Sequence, residues 1–277
     1  MDHSTQVHLH AAMAQSETIT QIINIAITAE ALAVTLLGAA LANAKNYTGI
    51  LQGGSGLPAN LIRVLQAAQA AEQDHYTYLA KAGAKPLTLS FTIPNPKIAT
   101  DYTTLFSTIE ALETAFISAY EAAALAFAEM RRADLIKVAA QVAGVEAEHR
   151  ALARLALGDS LPHNVAFESA QFTTVGAAAA ALQKLGFIGG SGQTVTYATY
   201  APSVSFASVI NNTPGGVMAS ATAASTPAQM PSTMPYTGAG GMANHSTFPL
   251  WTLPAVVVGA SGAALLGIRT RHVKSGR

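Results

Sequence analysis

Cysteine is absent from this chain of 277 residues, and charged residues make up only 11% of it. Without cysteine there are no disulfides and no thiolate metal ligands, so any metal site must use histidine, aspartate and glutamate. A typical soluble domain carries about 25% charged residues. The formal net charge is zero, which excludes a generally basic surface for nucleic acid or other acidic polymers.

The few charges are unevenly distributed along the chain. No Lys, Arg, Asp or Glu occurs from Leu185 to Ile268, so the chain has at least two parts of different character. Residues 189–247 are rich in Ser, Thr, Ala, Gly and Pro, a composition that buries little apolar surface and is typical of a stalk. Within it, residues 194–210 alternate enough to form a strand if they pack on a folded domain.

The charged part of the chain contains four long segments with the apolar content of helices. The first has no proline and is apolar almost all round, which predicts a helix buried on most sides. Asp101 and Asp134 are suited to cap the third and fourth helices. The four helices are predicted at Glu17–Ala44, Ala59–Ala82, Asp101–Arg131 and Asp134–Leu157.

The connection between the second and third helices is long and contains several prolines. Two helices, a long crossover and two more helices predict an all-α fold, a four-helix bundle with one crossover connection. A short further helix is expected near Val175–Leu185. The predicted parts are a flexible tail at 1–16, the bundle at 17–158, an extension at 159–188, the stalk at 189–247, a membrane span at 248–268 and a basic tail at 269–277.

Two Glu-x-x-His motifs occur in this sequence, Glu72 with His75 and Glu146 with His149. Residues three apart share one face of a helix, so each motif presents a carboxylate and an imidazole to one point. A single motif of this kind is common on surface helices. Two of them, in the second and fourth helices of a chain this poor in charge, indicate a shared site.

The first and third helices each offer glutamates that would complete such a site. Glu30 is the only charged residue in the interior of the first helix. The third helix contains Glu110, Glu113 and Glu121, and spacing alone leaves Glu110 and Glu113 open as alternatives, because Glu121 is rotated away from Glu113. Tyr120 shares the face of Glu113 and either lines the site or belongs to the core.

Four carboxylates and two imidazoles suit two ions of iron or manganese. The charge of the carboxylates balances that of two divalent ions, whereas without metal the buried carboxylates would repel one another and take up protons. The residues therefore predict a carboxylate-bridged dinuclear metal site inside the bundle. The other nearby acids, Asp74, Glu129 and Glu148, are expected to face solvent or to pair with Lys and Arg.

The segments around these motifs resemble the ferritin-like superfamily, and most of all its bacterial ferritin-like domain branch, which includes plant desiccation-related proteins. The resemblance covers about Thr18 to Gly186, and its specific part is the pair of Glu-x-x-His motifs. It favours Glu113 in the third helix, because this residue stands in an "LE…AY" context. The matching segments are "IAITAEALAVTLL", "AAQAAEQDHYTYL", "LETAFISAYEAA", "AGVEAEHRALARLALG" and "FESAQFTTVGAAAAAL".

The resemblance implies a ligand set and a type of chemistry. The implied activity is oxidation of the bound metals by oxygen or peroxide, as in a ferroxidase or a peroxide-protection protein. The sequence does not choose between these two activities, or between iron and manganese as the metal. The alternative is a non-catalytic structural or desiccation-protective envelope protein with a vestigial metal site. The implied metal ligands are Glu30, Glu72, His75, Glu113, Glu146 and His149.

The C-terminal part of the chain predicts an anchor at the cell envelope. Residues 248–268 are uncharged, mostly apolar and long enough to span a bilayer. The basic tail that follows would stay in the cytoplasm, which places the bundle outside the membrane. Residues 1–16 show no basic segment followed by an apolar core, so no secretory signal is visible in the sequence as given.

A short motif before the predicted span resembles the cell-wall sorting signal of Gram-positive bacteria, Leu-Pro-x-Thr-Gly. Methionine stands in place of leucine. If a sortase recognises this motif, Thr237 would become the new C-terminus and would be joined to the cell wall; a plain single-span anchor is the alternative. The motif consists of Met234, Pro235, Tyr236, Thr237 and Gly238.

Overall fold

The computed structural model of the chain describes residues 17–51, 53–206 and 212–215. All of them belong to one compact unit, residues 1–223. The predicted flexible tail, most of the predicted stalk, the sorting motif, the predicted membrane span and the basic tail lie outside the described residues. These interpretations stay predictions from the sequence.

The fold is mostly helical, as predicted. Four long helices form a helical bundle in which α1 packs along α2 and α3 packs along α4, and a common apolar core contains residues from all four. Each of the four helices begins and ends within two residues of its predicted bounds. They are α1 (Ile19–Ala42), α2 (Ala59–Lys81), α3 (Tyr102–Glu129) and α4 (Ala133–Ala156).

The first helix, α1, is buried over most of its length, and every residue from Ile27 to Ala40 is buried. Among the described residues, α1 and α3 are both long and apolar enough to cross a membrane. However, an apolar stretch of 18 residues is 72% buried within the protein in α1 and 56% buried in α3. Packing inside the bundle therefore explains their composition. Glu30 is a charged residue in the middle of this buried run.

The two predicted aspartate caps have different outcomes. Asp101 caps α3, and its carboxylate accepts a hydrogen bond from the backbone N–H of Thr104 at 2.8 Å. The prediction for Asp134 was wrong, because Arg132 occupies the N-cap position of α4 and Asp134 lies in its first turn. The chain turns sharply at Arg131, which has a φ of 57°. The new helix therefore starts before Asp134, whose carboxylate instead contacts the Arg132 guanidinium at 2.6 Å.

A small antiparallel sheet corrects the expectation of an all-α fold. Strand β1 (Ser90–Ile93) lies in the long crossover and pairs with β2 (Gln193–Thr196), with Phe91 opposite Val195. Both of these apolar side chains are buried. The crossover therefore contains a strand, β1, that was not predicted, and this strand pairs with the start of the alternating stretch.

The start of the predicted stalk packs on the bundle. After β2, the short helix α6 (Tyr197–Tyr200) follows. The ring of Tyr197 stacks on Tyr76 of α2 at 4.4 Å, and its hydroxyl donates to Gln73 at 2.9 Å. The expected strand is therefore present, but it is shorter than the alternating stretch.

The extension after the bundle contains the expected short helix, α5 (Val175–Lys184). The Thr174 side chain caps this helix, and the Glu17 carboxylate accepts a hydrogen bond from the backbone N–H of Val175 at 2.9 Å. A negative charge at a helix N-terminus is favourable. The extension is thus joined to the start of the bundle.

Candidate metal centre

The six predicted ligands come together in the interior of the bundle. Helices α1 and α3 each contribute one glutamate, and α2 and α4 each contribute a Glu-x-x-His motif. His75 is 15% exposed, the most of the six, while Glu72 and Glu146 have no exposed surface. The other buried members are Glu30, Glu113 and His149.

One group of ligand atoms surrounds His75. An atom from each of Glu30, Glu72, His75 and Glu146 lies within 4.8 Å of the others. His75 Nδ1 is 3.3 Å from Glu30 Oε2, 3.3 Å from Glu72 Oε2 and 3.6 Å from Glu146 Oε1. Three carboxylates and one imidazole are therefore close enough to share one cation.

A second group surrounds His149. Its ligand atoms come from Glu72, Glu113, Glu146 and His149, again within 4.8 Å of one another. His149 Nδ1 is 2.8 Å from Glu72 Oε1, 3.4 Å from Glu146 Oε2 and 4.0 Å from Glu113 Oε1. This group repeats the first with a different glutamate and a different histidine.

Glu72 and Glu146 belong to both groups, and each directs its two oxygens to different histidines. Glu72 places Oε2 near His75 and Oε1 near His149. Glu146 places Oε1 near His75 and Oε2 near His149. Two carboxylates that span two adjacent positions have the geometry of bridging ligands, whereas Glu30 and Glu113 each belong to one position.

Several of these polar atoms are buried without a hydrogen-bond partner. Such atoms are costly inside a protein unless something satisfies them. Metal cations at the two positions would satisfy such atoms, because carboxylate oxygen and imidazole nitrogen are suitable donors. The residues therefore fit a metal site. The unpartnered ligand atoms are Glu72 Oε1, Glu113 Oε2, both carboxylate oxygens of Glu146, and His149 Nδ1.

The carboxylates have perturbed pKa values. Burial raises the pKa of Glu30 and of Glu113, and neighbouring carboxylates add to the rise. Burial and the charge of Glu72 also raise the pKa of Glu146. Burial, the largest single effect, would raise the pKa of Glu72, but the charge of His149 and the side-chain contacts with His149, His75 and Glu30 together outweigh burial and lower it.

The two imidazoles respond to the same charges in the opposite sense. Burial on its own would lower the pKa of His75 and of His149, but the surrounding carboxylates outweigh it and raise both values. Without a cation the cluster therefore holds protons among its members, as the charge balance predicted. A divalent ion would displace those protons.

Tyr120 lines the cluster from α3. It is 8% exposed, and its hydroxyl donates a hydrogen bond to Glu30 Oε1. Burial raises the pKa of this phenol, with the charge of Glu30 adding to the rise. The ring also packs in an apolar cluster, so Tyr120 both lines the site and belongs to the core. The Tyr120 hydroxyl thus contacts Glu30, the glutamate that belongs only to the group of His75.

The structure distinguishes the three glutamates of α3. Glu113 joins the cluster, whereas Glu110 lies 3.7 Å from the Arg154 side chain and is 38% exposed. Glu121 belongs to neither group of ligand atoms. Among the surplus acids, Glu129 and Glu148 are exposed as expected, and Asp74 is half-buried and has an interaction of its own.

Arg150, next to His149, was missed from the sequence. It is 8% exposed, and its guanidinium makes two 2.6 Å contacts with the carboxylate of Glu168 in the extension. A bidentate pair of this kind fixes geometry strongly. The available signal was an arginine in the middle of an Ala-rich helix, but its partner lies 18 residues away in a loop.

Comparison with known proteins agrees with this arrangement. The sequence model of one protein family, described as a ferritin-like domain, matches residues 18–159. That range is more than half of the chain, and it contains all four long helices and all six clustered side chains. No curated protein and no solved structure is significantly similar to the chain. The chain belongs to the ferritin-like domain family.

Proposed function

We propose that the cluster binds two ions of iron or manganese as a dinuclear carboxylate site. Glu72 and Glu146 would be shared between the two ions, Glu30 and His75 would complete one position, and Glu113 and His149 would complete the other. The observation that supports this most strongly is the opposite direction of the two oxygens of each bridging glutamate.

The charges of the site support the same proposal. Four ionised carboxylates neutralise two divalent ions, so the loaded cluster carries no net buried charge. Oxygen donors with two imidazoles suit iron and manganese. The pair of histidines and the absence of cysteine argue against calcium and against a thiolate site.

The proposed activity is oxidation of metal by oxygen or peroxide, in a ferroxidase or peroxide-protection role. Bound iron or manganese would supply one-electron redox chemistry. The protein holds the two positions close together, excludes bulk water through burial of the four glutamates, and orients Glu30 through the Tyr120 hydroxyl. Water exclusion strengthens each electrostatic contact in the cluster.

Metal analysis of the purified full chain tests the proposal. After loading with ferrous or manganous ion under argon, we expect about two ions per chain by mass spectrometry, as six converging ligands require. Glu72→Ala should lose both ions. The matched control Glu148→Ala alters an exposed residue of α4 and should retain both.

A second measurement separates a redox protein from a structural one. The loaded chain should oxidise ferrous ion with oxygen or consume peroxide, and Glu72→Ala should do neither. A chain that takes up no iron or manganese, and whose stability Glu72→Ala leaves unchanged, would instead support a structural or desiccation-protective role with a vestigial site. Bound metal without either activity would limit the function to metal binding.

We also propose that the chain is held at the cell envelope by its C-terminal part. The uncharged segment at 248–268, the basic tail and the Met-Pro-Tyr-Thr-Gly motif support this. In a Gram-positive host, wild-type protein should be released by cell-wall hydrolases. Thr237→Ala should move it to the membrane fraction, and Thr233→Ala, just before the motif, should not. Wall release unaffected by Thr237→Ala would indicate a plain anchor.

A further inference from the structure

A groove beside the metal cluster reaches one of its two positions. It has a volume of about 230 Å³, and its lining includes the ligand His75 and the site residue Tyr120. Most of the remaining wall is apolar and comes from α2 and α4, with Tyr78, Val138 and Val142 among its members. The groove therefore joins the more exposed histidine to an apolar surface.

A smaller cavity of about 60 Å³ continues from the groove into the bundle. The two spaces share four lining residues, Tyr78, Leu79, Tyr120 and Val138. Every residue that lines the inner cavity is either apolar or a tyrosine. An apolar space of this kind does not hold water well and gains from an apolar ligand.

The cavity at the other metal position is much smaller. The cavity that touches Glu113 and His149 has a volume of only about 20 Å³. Next to His149 in the sequence, Arg150 is tied to Glu168. The larger of these two spaces therefore adjoins the cluster at the position of His75.

A hydrated ion or a peroxide molecule gains little from such walls, because neither has apolar surface to bury. An apolar chain gains about fourfold in affinity for each methylene that it removes from water. The residues lining the groove include Asp74 but no Lys or Arg, and any positive charge on His75 is already balanced by Glu30, Glu72 and Glu146, so they offer little counter-charge for an acidic ligand. Besides Gln141 and Asn212, its polar groups include the His75 imidazole and the Tyr120 phenol, which both contact Glu30 of the cluster.

We propose that the groove and the inner cavity bind a small molecule with a straight apolar chain and one uncharged polar end. The polar end lies beside His75 and Tyr120, next to the metal positions, and the chain occupies the apolar space. This inference deepens the proposed function by naming the class of ligand at that site. The apolar chain binds to the protein itself, so most of the affinity is independent of metal.

Calorimetry on the full chain, with 1-octanol and 1-butanol as probes, tests the proposal. We expect one saturable 1-octanol site per chain, at least tenfold tighter than that for 1-butanol. Val138→Phe fills the groove from a half-buried position and should weaken 1-octanol binding at least tenfold. The matched control Leu155→Phe lies on the same helix at a position that is 54% exposed, and it should leave binding unchanged.

A second variant tests the inner cavity. Ala26→Leu places a larger side chain in it from α1, and we expect most of the preference for the longer alcohol to be lost while 1-butanol still binds. Equal 1-octanol affinity in wild type and Val138→Phe would overturn the proposal. So would the absence of saturable binding to wild type, which decides the question even if neither variant folds.

The metal content of each sample separates this inference from the proposed function. Two ions per chain without 1-octanol binding would overturn the cavity proposal and leave the metal site intact. Saturable 1-octanol binding, sensitive to Val138→Phe, in a chain that takes up no metal would overturn the dinuclear site and leave the cavity. Each proposal can therefore be overturned by a result that leaves the other intact.

Discussion

His149 Nδ1 lies 2.8 Å from Glu72 Oε1, yet neither atom has a hydrogen-bond partner in the described part of the chain. The two atoms are close without being aligned with each other. Ligands of one cation have this relationship, because their lone pairs converge on a third point. The other oxygen of Glu72 lies 3.3 Å from His75, which makes this glutamate the link between the two positions.

The first prediction concerns metal stoichiometry in variants that keep the shape of the side chain. Glu72→Gln should reduce the metal content from about two ions per chain to nearly none, because both positions lose a charged ligand. Glu113→Gln should leave about one ion, since Glu113 belongs only to the group of His149. Mass spectrometry after dialysis measures both.

Glu148→Gln is the control for this comparison, because it removes an exposed carboxylate from the same helix as Glu146. It should retain both ions. Equal metal loss in Glu72→Gln and Glu113→Gln would contradict the bridging assignment, even if the chain still binds metal.

The second prediction is a pH dependence of stability in the metal-free chain. Folding raises the pKa values of Glu30, Glu113 and Glu146, and also those of His75 and His149. The folded chain therefore binds more protons than the unfolded chain above the ordinary glutamate pKa of about 4.3. Its free energy of unfolding should fall as the pH rises from 5 towards 9.

Glu72 does not reverse this trend. Its pKa is lowered, so its contribution is lost only as the pH falls below the ordinary glutamate range. Each unit by which folding raises a pKa lowers the free energy of unfolding by about 1.4 kcal/mol between a pH below both the unfolded and the folded pKa and a pH above both. Urea unfolding at several pH values measures the slope, and Glu113→Gln should reduce it by removing one titrating group.

Bound metal should abolish or reverse this fall in the free energy of unfolding with rising pH. Binding requires deprotonated ligands and releases their protons, so affinity rises with pH. Unfolding in excess manganous ion should show stability that holds or increases from pH 5 to 8. A metal-free chain whose stability does not change over this range would contradict the proton-holding cluster.

Much of the site was predictable from the sequence because α-helical periodicity fixes which residues share a face. The i, i+3 spacing of Glu72 with His75 and of Glu146 with His149 determines their side-chain directions before any tertiary contact is known. Low charge elsewhere made Glu30 conspicuous. Periodicity alone could not choose between Glu110 and Glu113, because that choice depends on how α3 is rotated about its axis against the other helices.

Features that depend on long-range partners were not predictable in the same way. The pairing of Phe91 with Val195 joins segments about 100 residues apart, and no local pattern encodes it. Arg150 and Glu168 likewise meet through the path of a loop. The start of α4 depended on the sharp turn at Arg131, which outweighed the preference of an aspartate for the cap position.

The third prediction concerns the Tyr120 hydroxyl. Tyr120→Phe removes the hydrogen bond to Glu30 and should weaken metal binding at the His75 position by about tenfold to a hundredfold, as loss of a contact behind a ligand commonly does. The His149 position should be little affected. Competition with a chelator of known affinity measures both steps.

Tyr47→Phe is a matched control for this change. The Tyr47 hydroxyl is also buried, and it donates to the backbone carbonyl of Ile98 at 2.9 Å. Its loss should cost about 1 kcal/mol of stability without changing metal affinity. Equal metal affinity in Tyr120→Phe and Tyr47→Phe would show that the Glu30 contact is only structural.

The fourth prediction concerns the pair that ties the extension to α4. Arg150 makes a bidentate contact with Glu168, and the two side chains are 10% and 24% exposed. Arg150→Gln should cost about 2 kcal/mol of stability, because it leaves a partly buried carboxylate without its partner. Hydrogen exchange should become faster in the segment before α5, where the backbone N–H groups of Gln171 and Phe172 bond to Ser118.

A double-mutant cycle with Glu168→Gln isolates the pair itself. If the two side chains act through each other, the double variant should lose less stability than the sum of the single variants, with a coupling of about 1 kcal/mol or more. Glu168→Gln leaves every clustered ligand in place, so it should retain both metal ions. Additive losses would show that Arg150 stabilises the bundle through packing alone, because a charge-dependent tie cannot give independent effects.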